Sequence, residues 1–156
     1  HGTEVWRLTA VEIAFSGGMM LGGLIIGFWG GFRNKIHSIA LSCILSGIGV
    51  VSLGILNNFW WYLAAMLFIG LTVPLSNIPS MTLLQSKVAP EFMGRVFGVF
   101  GMTYSLTMPL AMLVFGPLAD VVEIDLLLIV SGIIILLLSV PYLTSKVLRD
   151  AGKAEV

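Results

Sequence analysis

The residue types that perform catalysis are sparse in this chain and are not placed to work together. The 156 residues include two histidines, His1 at the terminus and His37 beside a charged segment, and a single cysteine, Cys43. A serine nucleophile requires a neighbouring base, but Ser16 is preceded by Ala-Phe and followed by Gly-Gly. The run GGMMLGG lacks the Lys-Ser/Thr pair of a phosphate-binding loop. The sequence therefore predicts a protein that is not an enzyme and that uses no metal or cofactor.

Charged residues are rare and confined to short segments. They form 10% of the chain, against about 25% in an ordinary soluble domain. No Asp, Glu, Lys or Arg occurs in residues 13–32, 36–86, 96–119 or 126–145. Because about 20 apolar residues cross a bilayer core, the second run holds two spans and the others one each. Backbone groups must pair within each span, and the alternation of a membrane barrel is absent. The predicted fold class is an all-α membrane protein with five transmembrane helices.

The helices are expected at about residues 8–31, 36–56, 59–84, 94–118 and 126–145. Residues 1–7 would form an outer N-terminal segment, residues 8–145 the transmembrane bundle, and residues 146–156 a cytoplasmic tail. Within the first and fourth helices, glycines recur every four residues, so that each set forms a strip on one helix face where another backbone can approach. The glycines expected to serve helix packing are Gly18, Gly22, Gly23, Gly27, Gly31, Gly94 and Gly98.

The basic residues predict the orientation. With five spans, the loop containing Arg33 and Lys35, the loop containing Lys87 and Arg95, and the C-terminal tail share one side, which holds seven of the eight Lys and Arg residues. The positive-inside rule makes that side cytoplasmic, with the N-terminus outside. A five-span chain with its N-terminus outside, which also starts with a residue other than Met, is expected to be cut from a longer protein. Its zero net charge gives no indication of a nucleic-acid partner, and membrane lipid is its expected surrounding.

Three motifs in this order resemble a known family: GMMLGGLIIGFWGGFRNK from Gly18, VAPEFMGRVFGVFG from Val88, and FGPLADVV from Phe115. They are similar to the C-terminal half of a major facilitator superfamily transporter of the macrolide-type drug efflux branch. The resemblance implies a twelve-helix protein of two six-helix halves, of which this chain supplies the eighth to twelfth helices. Its partner would be the missing N-terminal half. Inverted repeats in the family would make the first and fourth helices equivalent.

The function implied by the resemblance is secondary active transport. Lipophilic or amphipathic compounds would be exported across the inner membrane by proton antiport with alternating access. Macrolide-like drugs rank first, and other lipophilic drugs and siderophores stay open. The alternative is a five-span accessory or scaffold membrane protein without transport activity of its own, which binds a partner through its glycine faces.

Three groups of candidate site residues follow from the resemblance and from the cost of polar groups in lipid. A cytoplasmic latch would use Arg33, Lys35, Glu91, Gly94 and Arg95, although the basic residues among them are also explained as topology anchors. A substrate path would use Ser76, Asn77, Thr103, Tyr104 and Thr107, which hydrogen bonds between helices explain equally well. Candidates at the outer end are Glu12 and Asp120, where Glu12 either carries protons or simply reaches interfacial water.

Overall fold

A computed structural model describes residues 2–30, 34–55 and 58–146, with side chains from Val5 onward. It contains the five predicted helices and confirms the all-α membrane fold class. The helices are α1 (Gly2–Trp29), α2 (Lys35–Ile55), α3 (Phe59–Lys87), α4 (Pro90–Val121) and α5 (Ile124–Thr144). All five are long and apolar enough to cross a membrane. The shortest have 21 residues and reach about 30 Å, the thickness of a bilayer core.

The helices extend beyond the apolar runs that predicted them. Helix α1 begins at Gly2, so most of the segment predicted to precede it is helical, and α3 continues to Lys87. Helix α4 begins at Pro90, which leaves only Val88 and Ala89 between α3 and α4. The physical reason is that the absence of charge marks only the part of a helix inside lipid, whereas backbone hydrogen bonds continue into the interface. Proline fixes the start of α4 because it needs no backbone donor in a first turn.

Three pairs of helices pack closely: α1 with α3, α3 with α2, and α2 with α5. The order across the bundle is therefore α1, α3, α2, α5. Helix α4 is different, because none of its residues is buried.

Glycines bring α1 and α3 into backbone contact. A Cβ added to Gly22 would lie 2.5 Å from the carbonyl oxygen of Leu71 and 3.0 Å from its Cα. A Cβ on Gly70 would overlap the carbonyl oxygen of Phe15 and would lie 3.2 Å from the Cα of Gly18. Any side chain at these positions would push the two helices apart, as expected where small residues allow close packing in lipid.

Glycines also bring α2 and α5 together. A Cβ on Gly132 would lie 2.8 Å from the amide nitrogen of Val51 and 2.9 Å from the carbonyl oxygen of Gly47. Nearer the end of α2, a Cβ on Gly54 would lie 2.6 Å from the carbonyl oxygen of Asp125. The most aliphatic helix of the bundle, α5, is thus held against α2 at the backbone.

Buried hydroxyl groups join α2 to α3. Ser42 Oγ donates to the carbonyl oxygen of Thr72 at 2.7 Å, and Thr72 Oγ1 donates to the carbonyl oxygen of Ile69 at 2.7 Å. Since Thr72 has a single hydroxyl proton, Ser46 Oγ is the donor in its 2.5 Å hydrogen bond to Thr72 Oγ1. Ser42 and Thr72 are each 2% exposed. A hydroxyl in lipid is costly without a partner, so this network favours one pairing of the two helices.

Candidate functional site

A cavity of about 530 Å³ lies between the C-terminal half of α3 and the N-terminal half of α4. Only two residues separate the helices in sequence, but α4 does not pack closely along α3, and the space between them remains open. The lining residues are Asn77, Ser80, Met81, Leu84, Phe100, Gly101, Tyr104 and Ser105. The volume falls within the range of sites that bind drug-sized molecules, about 300 to 1,000 Å³.

The chemistry of this α3–α4 cavity suits an amphipathic ligand. Its wall is mainly apolar, and Met81 and Phe100 provide polarizable and aromatic surface. The amide of Asn77 and the phenol of Tyr104 offer hydrogen bonds, whereas Ser80 Oγ already donates to the carbonyl oxygen of Ser76 at 2.6 Å. No acid or base with an ordinary pKa near neutrality lines the cavity. The cavity offers apolar contact and a few hydrogen bonds to a ligand.

The structure brings two of the five predicted path residues, Asn77 and Tyr104, into this cavity. The other three do not line it. Thr103 Oγ1 donates to the carbonyl oxygen of Val99 at 2.9 Å, and Thr107 Oγ1 donates to that of Thr103 at 2.8 Å. These hydroxyls are satisfied along their own helix.

Sequence reasoning missed most of the apolar wall, namely Met81, Leu84 and Phe100, because it searched for polar groups. The signal that could have identified these residues is their helical spacing. Positions 77, 81 and 84 share one face of α3, and positions 100 and 104 share one face of α4.

Of the residues predicted to form a cytoplasmic latch, the structure describes Lys35, Glu91, Gly94 and Arg95, and it places Lys35 against the end of α1. Lys35 Nζ donates to the carbonyl oxygen of Gly30 at 3.4 Å, and the amide of Gly30 donates to the carbonyl oxygen of Ile26 at 2.7 Å. Gly30 has φ of +73° and ends α1 in the left-handed conformation that glycine adopts freely. Lys35 thus places a cation at the negative end of the α1 dipole. Arg33 lies outside the described residues.

Glu91, Gly94 and Arg95 lie exposed in the first two turns of α4. Glu91 stands in the first turn, where an acid interacts favourably with the helix dipole. A Cβ on Gly94 would meet nothing within 4 Å. In the part of the chain that the structure describes, the hydrogen bond of Lys35 goes to Gly30 and not to Glu91.

The two acids predicted at the outer end lie on exposed surfaces. Glu12 lies on α1 and lines a groove of about 840 Å³ along that helix, together with Thr9 and Ser16. At 3.6 residues per turn, Glu12 is about 160° around the helix from the buried Ala14, which faces the bundle. Asp120 is exposed in the last turn of α4.

The nearest cation to Glu12 in sequence, Arg7, interacts elsewhere. Its Cζ lies 4.9 Å from the centroid of the Phe59 ring. The edge of Trp6 meets the same ring at 5.3 Å between centroids. The N-terminal ends of α1 and α3 are therefore joined by an aromatic cluster that includes one cation.

The predicted packing glycines divide into three groups. Gly18 and Gly22 lie against α3, and Gly31 falls outside the described residues. A Cβ added to any of the others, Gly23, Gly27, Gly94 and Gly98, would meet nothing within 4 Å. The helices that the structure describes therefore leave those four positions without a close neighbour.

Comparison with known proteins gives a consistent result. The family model of the Major Facilitator Superfamily matches residues 6–155. Macrolide efflux protein A of Streptococcus pyogenes is 31% identical over 142 residues, covering 90% of this chain and 35% of that protein. Macrolide efflux protein A of Enterococcus faecalis is 34% identical over 114 residues, covering 72% of this chain and 35% of that protein.

A further relative is the uncharacterized MFS-type transporter YfiS of Bacillus subtilis, 26% identical over 147 residues, covering 94% of this chain and 31% of that protein. The chain thus spans about a third of the length of the curated relatives it matches. No solved structure matches it.

Proposed function

Because this chain belongs to the Major Facilitator Superfamily, we propose that it forms the C-terminal part of a secondary transporter that exports lipophilic or amphipathic compounds. Macrolide-like drugs are the first candidates, since two relatives above 30% identity are macrolide efflux proteins. The remaining part of the transporter would be its main partner. Transport would proceed by alternating access of two helix bundles in the inner membrane, driven by proton antiport.

The α3–α4 cavity is the observation that carries this proposal. It combines a drug-sized volume of about 530 Å³ with apolar walls and the hydrogen-bonding side chains of Asn77, Tyr104 and Ser105. A large amphipathic molecule gains affinity there mainly by burying apolar surface. Its few polar groups would be met by the amide and the phenol, which supports selection by size and polarity rather than by charge.

In this transporter, Glu12 would carry the proton that is exchanged for the substrate. A carboxylate within the span formed by residues 5–29 is costly next to hydrocarbon, so it favours a wet or protein-lined surrounding. Its position on the face of α1 directed away from α3 supports a place on the transport path. Asp120, exposed at the end of α4, is the second candidate.

We also propose an orientation in the membrane and a latch on its cytoplasmic side. The N-terminus would lie outside and the C-terminal tail in the cytoplasm. Arg95 and Glu91 at the start of α4, with Lys35 and Arg33 after α1, would meet the other bundle when the cytoplasmic side closes. The exposure of Glu91 and Arg95 supports this role, because both remain accessible to another part of the transporter.

The test is export by the full-length transporter that contains this chain. Cells expressing it are expected to accumulate less of a radiolabelled macrolide, and collapse of the proton gradient should remove the difference. Tyr104→Ala should raise the KM for export about tenfold, because one side of the cavity wall and one hydrogen bond are lost. Thr107→Ala is the matched control, since its hydroxyl bonds only within α4.

Three results would contradict the proposal: unchanged macrolide accumulation, an equal effect of Tyr104→Ala and Thr107→Ala, or robust export by the 156-residue chain alone in vesicles. Export by the chain alone would contradict the proposal because alternating access requires two helix bundles. Co-purification with a separate partner, without substrate-dependent proton flux, would favour the scaffold function instead.

A further inference from the structure

We propose that the cleft between the N-terminal ends of α1 and α3 binds one anionic phospholipid, with its headgroup phosphate on Arg7. The cleft has a volume of about 350 Å³ and is lined by Arg7, Leu8, Val11, Phe59 and Tyr62. This site is separate from the α3–α4 cavity and does not depend on the transported substrate.

The guanidinium of Arg7 is held in place by an aromatic support. Its Cζ lies over the Phe59 ring, 4.9 Å from the ring centroid. That ring is itself flanked by Trp6 at 5.3 Å and 75°, and by Trp60 at 6.1 Å and 65°. A guanidinium presents its N–H donors in one rigid plane, a geometry that suits bidentate binding of phosphate.

The local field at the cleft favours an anion. Helix α3 begins at Phe59 and has no acidic residue in its first turn, so the positive end of its dipole adds to the charge of Arg7. The acids that the structure describes elsewhere at this end of the bundle are Asp120 in α4, Asp125 in α5, and Glu123 directly before α5. Helix α5 is separated from α1 by both α3 and α2.

Glu12 is the acid of α1 whose side chain the structure describes, and the side chain of Glu4, three residues before Arg7, lies outside the described part of the chain. Glu12 lies five residues beyond Arg7, which places it about 7 Å further along the helix and about 140° around it. It does not line the cleft. Among the described side chains that line the cleft, the guanidinium of Arg7 carries the charge.

A lipid fits the cleft better than a free anion does. Leu8 and Val11 provide apolar wall beside Arg7, and Leu8 is 69% exposed. Tyr62 adds a phenol, a group that favours the level of the headgroups. A phosphate bound at Arg7 would thus direct its acyl chain along α1, and apolar burial would add to the charge-assisted hydrogen bonds.

The experiment is native mass spectrometry of the whole chain released from micelles that contain equal amounts of phosphatidylglycerol and phosphatidylcholine. One phosphatidylglycerol is expected to stay bound, with an affinity about tenfold above that of phosphatidylcholine. Arg7→Gln should weaken phosphatidylglycerol binding about tenfold, the effect of losing a charge-assisted hydrogen bond. Arg95→Gln, which removes an exposed arginine at the other end of the bundle, should leave it unchanged.

Two further variants separate charge from geometry. Phe59→Leu keeps apolar bulk but removes the ring face, and should weaken binding about threefold. Arg7→Lys keeps the charge without the planar fork, and should lie between the wild type and Arg7→Gln. Circular dichroism and gel filtration identify any variant that does not fold, in which case the conservative Arg7→Lys provides the comparison.

Equal retention of the two lipids would overturn the proposal, as would an equal effect of Arg7→Gln and Arg95→Gln. Displacement of phosphatidylglycerol by glycerol phosphate at the same concentration would also overturn it, because the site would then be one for a free anion.

Discussion

Helices α1 and α4 carry the same kind of glycine pattern in the sequence, yet they have different surroundings in the structure. In α1, Gly18 and Gly22 lie against the backbone of α3. In α4, a Cβ on any of four glycines would meet nothing within 4 Å: Gly94, Gly98, Gly101 and Gly116. A glycine strip thus shows that a helix can be approached closely, but it does not show which helix approaches it.

The difference has a structural cause. Helices α1 and α3 lie side by side, with the ends joined by Arg7 and Phe59 and the middle joined at Gly18 and Gly70. Helix α4 follows α3 after two residues and then leaves space for the α3–α4 cavity. In the proposed transporter, the open strip of α4 is available to the remaining part of the protein. Four substitution experiments test this comparison, from the largest expected effect to the smallest.

Gly70→Leu should have the largest effect. The added side chain would overlap the backbone of Phe15, and a backbone cannot move aside as a flexible side chain does. We expect a loss of about 3 kcal/mol in the free energy of unfolding, measured by SDS titration in micelles with tryptophan fluorescence. Gly98→Leu on α4 is the control and should change the free energy by less than about 0.5 kcal/mol. Equal losses of stability in the two variants would show that the contact of Gly70 with α1 is no tighter than the surroundings of Gly98.

Two adjacent glycines of α1 give a sharper test, because the sign of the effect should differ. Gly22→Ala should destabilise the chain by about 1 to 2 kcal/mol, since its Cβ would lie 2.5 Å from the carbonyl oxygen of Leu71. Gly23→Ala meets open space and should stabilise α1 by about 0.5 kcal/mol, because alanine has less chain entropy to lose. The same titration measures both, and a loss of stability in Gly23→Ala would contradict the assignment.

Gly30, which directly follows α1, tests a different reason for a glycine. A Cβ there meets nothing within 4 Å, but φ is +73°. Gly30→Ala should therefore cost about 1 kcal/mol through backbone conformation alone. Gly27→Ala, which also meets open space but lies within the helix, should not lose stability. Thermal unfolding followed by circular dichroism compares the pair, and equal midpoints would argue against a conformational role for Gly30.

The smallest effect is expected for the hydroxyl pair that joins α2 to α3. A double-mutant cycle of Ser46→Ala and Thr72→Val should give a coupling energy of about 0.6 kcal/mol, typical of hydrogen bonds between membrane helices. Thr107→Val on α4 removes only a bond within one helix and should show no coupling to Ser46→Ala. A coupling near zero for the first pair would mean that the network adds no stability.

Parts of the site were accessible to sequence reasoning and parts were not. Asn77 and Tyr104 stand out as polar residues in apolar helices, and the structure places both in one cavity. Thr72 did not stand out among the other hydroxyls, although it is the centre of the network joining α2 and α3. Serines at 38, 42 and 46 recur every four residues, a pattern that marks a contact face on α2 without naming its partner.

The sequence by itself determined the five spans, the membrane environment and the family. Hydropathy and helical periodicity depend on residues that are neighbours along the chain, and the three motifs that resemble the family are contiguous. The tertiary structure alone decided that Gly18 meets Gly70, that Ser42 bonds to Thr72, and that α4 remains open beside α3. These contacts join residues far apart in sequence, 30 positions in the case of Ser42 and Thr72. A glycine or hydroxyl in lipid has the same local signal whichever helix it meets, so only the packing of the helices distinguishes the partners.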